Sequence, residues 1–160
     1  MNKRLIILLA AFLVVVLIAL MSWYAKPDQE NNFKVKRFLE STFSKILVSD
    51  SLKLRFNNRL LENRLSEFEY LVKKEKYELL RVQSSRYSTT AGISVQLVKS
   101  SLSKNLSQST LELFEKHREI LSYLIENFPA HAYKDMSWGQ LKDAQNYLDI
   151  YISQLENPQK

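Results

Sequence analysis

His117 and His131 are the residues best suited to metal ligation or proton transfer in a chain that has no cysteine. They lie on different segments, and neither belongs to a His-x-x-x-His or Glu-x-x-His pair, so a metal site would need carboxylates recruited by folding. His117 follows Phe114 by three and has Glu115 and Glu119 beside it, which reads as a structural or surface position. Carboxylates recur at short spacing, Glu67 with Glu69 and Glu112 with Glu115. Acid–base chemistry would need them partly buried, and on amphipathic helices such pairs are normally solvated. Ser101 and Lys104 make a Ser-x-x-Lys match, but the other elements of that enzyme class are missing and chance explains it better. The two isolated glycines cannot build a phosphate-cradling loop. No catalytic, cofactor-binding or metal-binding residue is assigned, no cofactor is expected, and the chain is read as no enzyme.

The elements that would hold these residues are helices. Two Gly and three Pro in 160 residues argue against a turn-rich β fold and for long helical segments. Without cysteine there are no disulfides, so an exported domain must rely on packing alone. Residues Leu5 to Ala25 carry no charge and follow Lys3 and Arg4. At about 1.5 Å per residue this run is long enough to cross a hydrocarbon core of roughly 30 Å. It is longer than the apolar region of a cleavable signal, and a cut after Ala25 or Ser22 would put Trp23 or Leu20 where a small residue is needed. An uncleaved transmembrane anchor is therefore expected, with Trp23 and Tyr24 as membrane-interface anchors. Lys3 and Arg4 would stay inside and the C-terminal part would be extracytoplasmic, although Lys26, Lys34, Lys36 and Arg37 also follow the span closely. A tail of Met1 to Arg4 could hold no cytoplasmic partner, so any signal would leave sideways through a second membrane protein.

Residues 26–32, with Pro27, read as a linker, and residues 33–156 as an all-α, antiparallel bundle of four or five helices ending in a frayed 157–160. In the first helix Phe33, Phe38, Leu39, Phe43, Ile46 and Leu47 fall near one face. Asp50 or Ser51 can cap the second, whose apolar series runs from Leu52 through Phe56, Leu61, Leu65 and Phe68 to Val72. Lys73 to Lys76 interrupt the pattern as a turn would. A third helix carries Leu80, Ser84, Tyr87, Ala91, Val95 and Val98 on one stripe, with small residues from Ser84 to Gly92 in its middle. Close helix packing is the main reading of those residues and a ligand cavity the lesser one. Ser109 to Glu112 has capping-box spacing and should open a fourth helix, and Ser137 to Gln140 a fifth.

The net charge of +6 is uneven: residues 26–90 carry +5 and residues 91–160 carry −1. The membrane-proximal excess reads as a solvated face beside anionic membrane lipid, or as a basic docking patch formed by Lys34, Lys36, Arg37, Lys73, Lys74 and Lys76. The eight Tyr and eight Phe follow the core stripes, so nucleic acid is not an expected partner.

The stretch Phe33-Lys34-Val35-Lys36-Arg37-Phe38-Leu39-Glu40 resembles the Leu-Tyr-x-x-Lys-Arg-x-x-Glu-like motif of a family of bacterial extracytoplasmic helical domains of unknown function. Leu61-Glu62-Asn63-Arg64-Leu65 resembles that family's Ala-Glu-Arg-Arg-Leu-like segment, and Lys116-His117 to Leu121 a later Lys-His-x-x-x-Leu piece. The resemblance spans residues 27–130 and departs from the pattern at Asn32 and Asn63. It implies an N-terminal membrane segment followed by a helical bundle, and no activity. Lys36 and Glu40 on one helix, with Glu62 and Arg64 on the next, are a candidate interhelical charge network, worth about 0–1 kcal/mol per pair if exposed. The expected function is a membrane-anchored, non-enzymatic envelope interaction or scaffold module that binds a protein partner or an anionic surface. Alternatives are an extracytoplasmic sensor signalling through a membrane partner, and a spanin-like or division-protein-like helical stalk.

Overall fold

The computed structural model describes residues 25–101, 104–135 and 137–157, and these contain helices and no strand. The expected anchor lies outside the described residues apart from Ala25, as do Trp23, Tyr24 and the basic tail. Among the described residues no helix is long and apolar enough to cross a membrane. The described helices are α1 (Glu30–Ile46), α2 (Asp50–Lys73), α3 (Leu80–Ser100), α4 (Lys104–Glu126) and α5 (Ser137–Glu156), with 3-10 turns at Tyr77–Leu79 and Ala130–Asp135. They fall into two compact units, Met1–Ile46 and Leu47–Lys160.

In the first unit α1 starts earlier than the apolar pattern suggests. The Gln29 N–H bonds the Lys26 carbonyl at 3.0 Å and the Phe33 N–H bonds the Gln29 carbonyl at 2.9 Å, so most of the expected linker is already turned. Lys34 donates to Glu30 at 2.6 Å across the first turn. The acid at the helix N-terminus also suits the macrodipole.

The second unit is a helical bundle made of two hairpins. α2 and α3 run antiparallel, with Asn57 opposite Ser94 and Arg64 opposite Gln83. α4 and α5 do the same, with Ser122 opposite Gln145 and Arg118 opposite Asp149. Between hairpins the order changes. Ser84 and Ser88 line a cleft with Gln140 and Tyr147, Gly92 meets Tyr151 and Lys99 reaches Gln154, so α3 and α5 are parallel neighbours. The expected antiparallel arrangement thus holds inside each hairpin and not between α3 and α5.

The core follows the sequence stripes: Leu61, Leu65, Phe68 and Leu71 from α2, Tyr87, Ala91 and Val95 from α3, Phe114 and Leu121 from α4, and Leu141, Ala144, Leu148 and Ile152 from α5 are all buried. At about 25 cal/mol per Å² of apolar surface, each large side chain contributes roughly 1.5–3 kcal/mol. Tyr77 from the first hairpin's turn packs on Phe128 from the second's, ring centroids 5.0 Å apart.

Two helix starts differ from expectation. α4 begins at Lys104, ahead of the Ser109–Glu112 spacing. Inside the helix the Ser109 and Thr110 hydroxyls donate back to the Leu106 carbonyl at 3.1 and 2.8 Å, so Ser109 caps nothing. Asp50 is the first residue of α2 rather than its cap; Ser49 holds the cap position without a side-chain bond. Asp50 accepts instead from Ser100 at 3.2 Å and pairs with Lys53. The turn after α2 closes with the Glu75 N–H on the Val72 carbonyl and the Lys76 N–H on the Leu71 carbonyl, a Schellman ending. Glu75 takes the left-handed position with φ of 55°, where glycine is usual.

Candidate interaction face and polar cleft

α1 buries only one edge of the face its apolar residues suggest, together with two charged residues. Phe33, Lys36 and Glu40, at steps of three and four, are the buried stripe. The Lys36 amine lies 5.6 Å over the Phe33 ring and donates to the Ala25 carbonyl at 3.4 Å. Val35, Leu39, Phe43 and Ile46, at steps of four, four and three, form a second stripe, of which Val35 and Leu39 are largely buried and Phe43 and Ile46 exposed. Phe43 and Ile46 are 51% and 67% exposed, and Phe38 beside them is 70% exposed. The third arc of the helix carries Lys34, Arg37 and Lys45, all exposed. The expectation that Phe38, Phe43 and Ile46 pack inward is thereby corrected. Their stripe is an apolar face edged by cations.

The residues proposed from sequence divide accordingly. Lys34 and Arg37 are exposed on α1, and Lys73, Lys74 and Lys76 are exposed around the turn after α2, while Lys36 is buried and is no surface charge. Of the candidate charge network, Lys36 and Glu40 are buried in the first unit, Arg64 is buried in the second, and Glu62 is exposed. Arg64 has a partner that the spacing argument overlooked: Glu67, whose two oxygens each lie 3.4 Å from Arg64 Nη1. Glu67 also accepts from Arg86 Nη1 at 3.3 Å, and Arg86 donates to Gln83 Oε1 at 3.2 Å. The Gln83 amide returns to the Arg64 carbonyl at 2.7 Å. These charges are inside the bundle: the Arg64, Glu67 and Arg86 side chains are 6%, 4% and 11% exposed. Glu67 is therefore not the solvated carboxylate expected, whereas Glu69 is exposed. The signal was present in the sequence, since Glu67 sits between Leu65 and Phe68 on the apolar stripe.

A second polar chain ties three helices. Asn57 donates to the Thr90 carbonyl and to Ser94 Oγ at 2.7 and 2.8 Å, Ser94 donates to Asn58 Oδ1 at 2.8 Å, and Asn58 donates to Thr110 Oγ1 at 2.8 Å. Nothing in the spacing of these residues announced it.

His117 is buried in the core, its Nδ1 3.0 Å from the Tyr87 hydroxyl, and Tyr87 packs on Phe68 with ring centroids 5.6 Å apart. Burial, aided by the charge of Lys116, lowers the imidazole pKa to about 4. Burial likewise pushes the Tyr87 hydroxyl far above its ordinary range. A neutral imidazole can accept the Tyr87 proton at Nδ1, which makes the pair a packed core contact. His131 is exposed in the 3-10 turn Ala130–Asp135. Among the described residues no three His, Asp or Glu side chains gather to hold a metal ion. No family model, curated protein or solved structure matches the chain.

The small residues of α3 serve two purposes. Ser94, Ala91 and Thr90 are buried and let helices approach. Ser84, Ser85, Ser88 and Thr89 instead border a cleft of about 420 Å³ whose other wall is α5, with Gln140, Asp143, Tyr147 and Tyr151. Arg81 stands at its α3 end. Tyr147 and Tyr151 stack at 6.4 Å between centroids and 28° between planes. A Cβ on Gly92 would come within 2.8 Å of the Tyr151 hydroxyl, so the bare glycine makes room for that ring.

Proposed function

We propose that the chain is a membrane-anchored, non-enzymatic interaction module, tethered by a transmembrane helix at Leu5 to Ala25, with its helical bundle outside the membrane and docking on a protein partner or anionic surface beside it. The observation that carries this reading is the exposure of the apolar side chains of Phe38 and Ile46 on α1, edged by Lys34, Arg37 and Lys45. Exposed apolar patches with polar rims mark interaction surfaces. The five residues from Ala25 to α1 keep that face near the bilayer, because an extended chain gains at most about 3.6 Å per residue. The packed two-hairpin bundle favours a compact module over a stalk.

The test is site-specific photocrosslinking in intact membranes. A photoreactive residue at Phe38 or Phe43 should give a defined adduct that the same residue at Val82, exposed on α3, does not. Identical patterns from both helices, or none from α1, would remove the reading. A second reading, a sensor that signals through a membrane partner, draws on the cleft between α3 and α5.

A further inference from the structure

Several side chains around the α3–α5 cleft have hydrogen-bonding capacity that the fold leaves unused. Ser88 Oγ is buried, on a residue only 9% exposed, and makes no hydrogen bond among the described residues. The side chains of Arg81, Ser84, Gln140 and Asp143 likewise make no hydrogen bond or ion pair to another described residue. Burial without a partner costs a hydroxyl roughly 1–3 kcal/mol.

The chemistry of the lining narrows the ligand. Its formal charges, Arg81 and Asp143, cancel, so the site does not select a phosphate or a polyamine. Carboxylate, amide and guanidinium each present two polar atoms in one plane, a geometry that engages two neighbouring hydroxyls at once. Between them lie more hydroxyls, which both donate and accept. The tyrosines add an apolar surface with a polar tip, suited to a molecule that has a C–H face and a hydroxyl edge. The Tyr151 ring tip occupies the space that a side chain at position 92 would fill. The volume of about 420 Å³ falls within the range of small-molecule sites, roughly 300–1,000 Å³. Neutral charge, paired planar groups, hydroxyls and an aromatic wall together describe a sugar.

We infer that the cleft between α3 and α5 binds a neutral saccharide, with Asp143, Gln140 and Arg81 holding its hydroxyls and the Tyr147–Tyr151 wall carrying its C–H face. This deepens the sensor reading and survives without it, because binding is measured directly and needs no signalling partner.

The experiment is NMR titration of the full-length protein in phospholipid nanodiscs, which avoids sugar-headed detergents. The probes are glucose, N-acetylglucosamine and its β-1,4 dimer, with L-alanine as a zwitterion that could also pair with Arg81 and Asp143. At least one sugar should saturably shift the amides of Ser88, Gly92 and Tyr151. Asp143→Ala should weaken that binding about tenfold, the effect of losing one hydrogen bond to a charged group. Asp149→Ala, an acid beside Arg118 on the α4 side, should leave it unchanged. Both acids are exposed, so folding is not at stake, and circular dichroism of each variant verifies it. Absence of sugar-induced shifts, shifts indifferent to Asp143→Ala, or saturation by L-alanine in place of sugars would each overturn the assignment.

Discussion

Replacing Glu67 with Gln tests whether the buried charges of the first hairpin act as one unit. The substitution keeps the volume and removes the negative charge that faces two guanidinium groups, Arg64 at 3.4 Å and Arg86 at 3.3 Å. Both cations are almost wholly buried, so neither can turn to water for compensation. Breaking a buried pair by removing one partner costs about 3–5 kcal/mol, most of it the penalty of the stranded charge. The contacts here are longer than the 2.7–2.9 Å of the strongest charge-assisted bonds, and Gln83 also supports Arg86, so the lower end applies, about 3 kcal/mol. For a bundle of this size that corresponds to a fall in Tm of roughly 10–15 °C. Urea denaturation followed by far-UV circular dichroism measures it. Removing Arg86 in the same molecule, as Glu67→Gln/Arg86→Gln, should recover part of the loss, because one of the two buried cations that faced the Glu67 charge disappears. A cost below about 1 kcal/mol for Glu67→Gln, the range of exposed pairs, would refute the reasoning, as would a double variant no better than the single.

Three further outcomes follow from the geometry. His117 is neutral in the folded bundle down to about pH 4, whereas the unfolded chain takes up that proton near 6.5; stability is therefore full above about 6.5 and falls by about 3 kcal/mol as pH drops to about 4. In His117→Gln the fall over that window should be shallower by this amount, and an unchanged pH profile of urea midpoints would contradict it. Glu75→Gly should stabilise by about 1 kcal/mol, since it relieves the left-handed backbone at φ 55° that ends α2, and a loss of stability would show that the Glu75 side chain matters more than its conformation. Gly92→Ala should gain about 1 kcal/mol of helix propensity only when Tyr151→Phe has removed the hydroxyl 2.8 Å away, and equal effects in both backgrounds would show that the ring yields freely.

The helices of the second unit were legible because their apolar residues recur at three and four, and Leu61, Leu65, Phe68, Tyr87, Ala91, Leu141 and Leu148 are buried as that spacing requires. Helix starts were less so. The Ser109–Glu112 spacing signals a cap, yet a hydroxyl can equally bond back within a helix already begun, and the local sequence does not separate the two cases. α1 shows a deeper limit. Periodicity tells which residues share a face and not which face finds a neighbour, and here the stripe of Phe33, Lys36 and Glu40 is the buried one. The pairing of Glu67 with Arg86 is not legible in the sequence, because a charge is presumed solvated until a partner from another helix is known, and the partner lies 19 residues along the chain. The cleft is half visible in the sequence: the small residues of α3 point first to packing, and only α5, remote in sequence, turns their outer side into a wall.

The arrangement of the two hairpins also bears on how the bundle forms. The contacts inside α2–α3 and α4–α5 join residues close in sequence, so each hairpin closes a short loop and can assemble early. The parallel contacts between hairpins, such as Lys99 with Gln154, span 55 residues and form only when two finished halves meet. Hydrogen exchange should then report two cooperative units, with the seam between α3 and α5 the first to open.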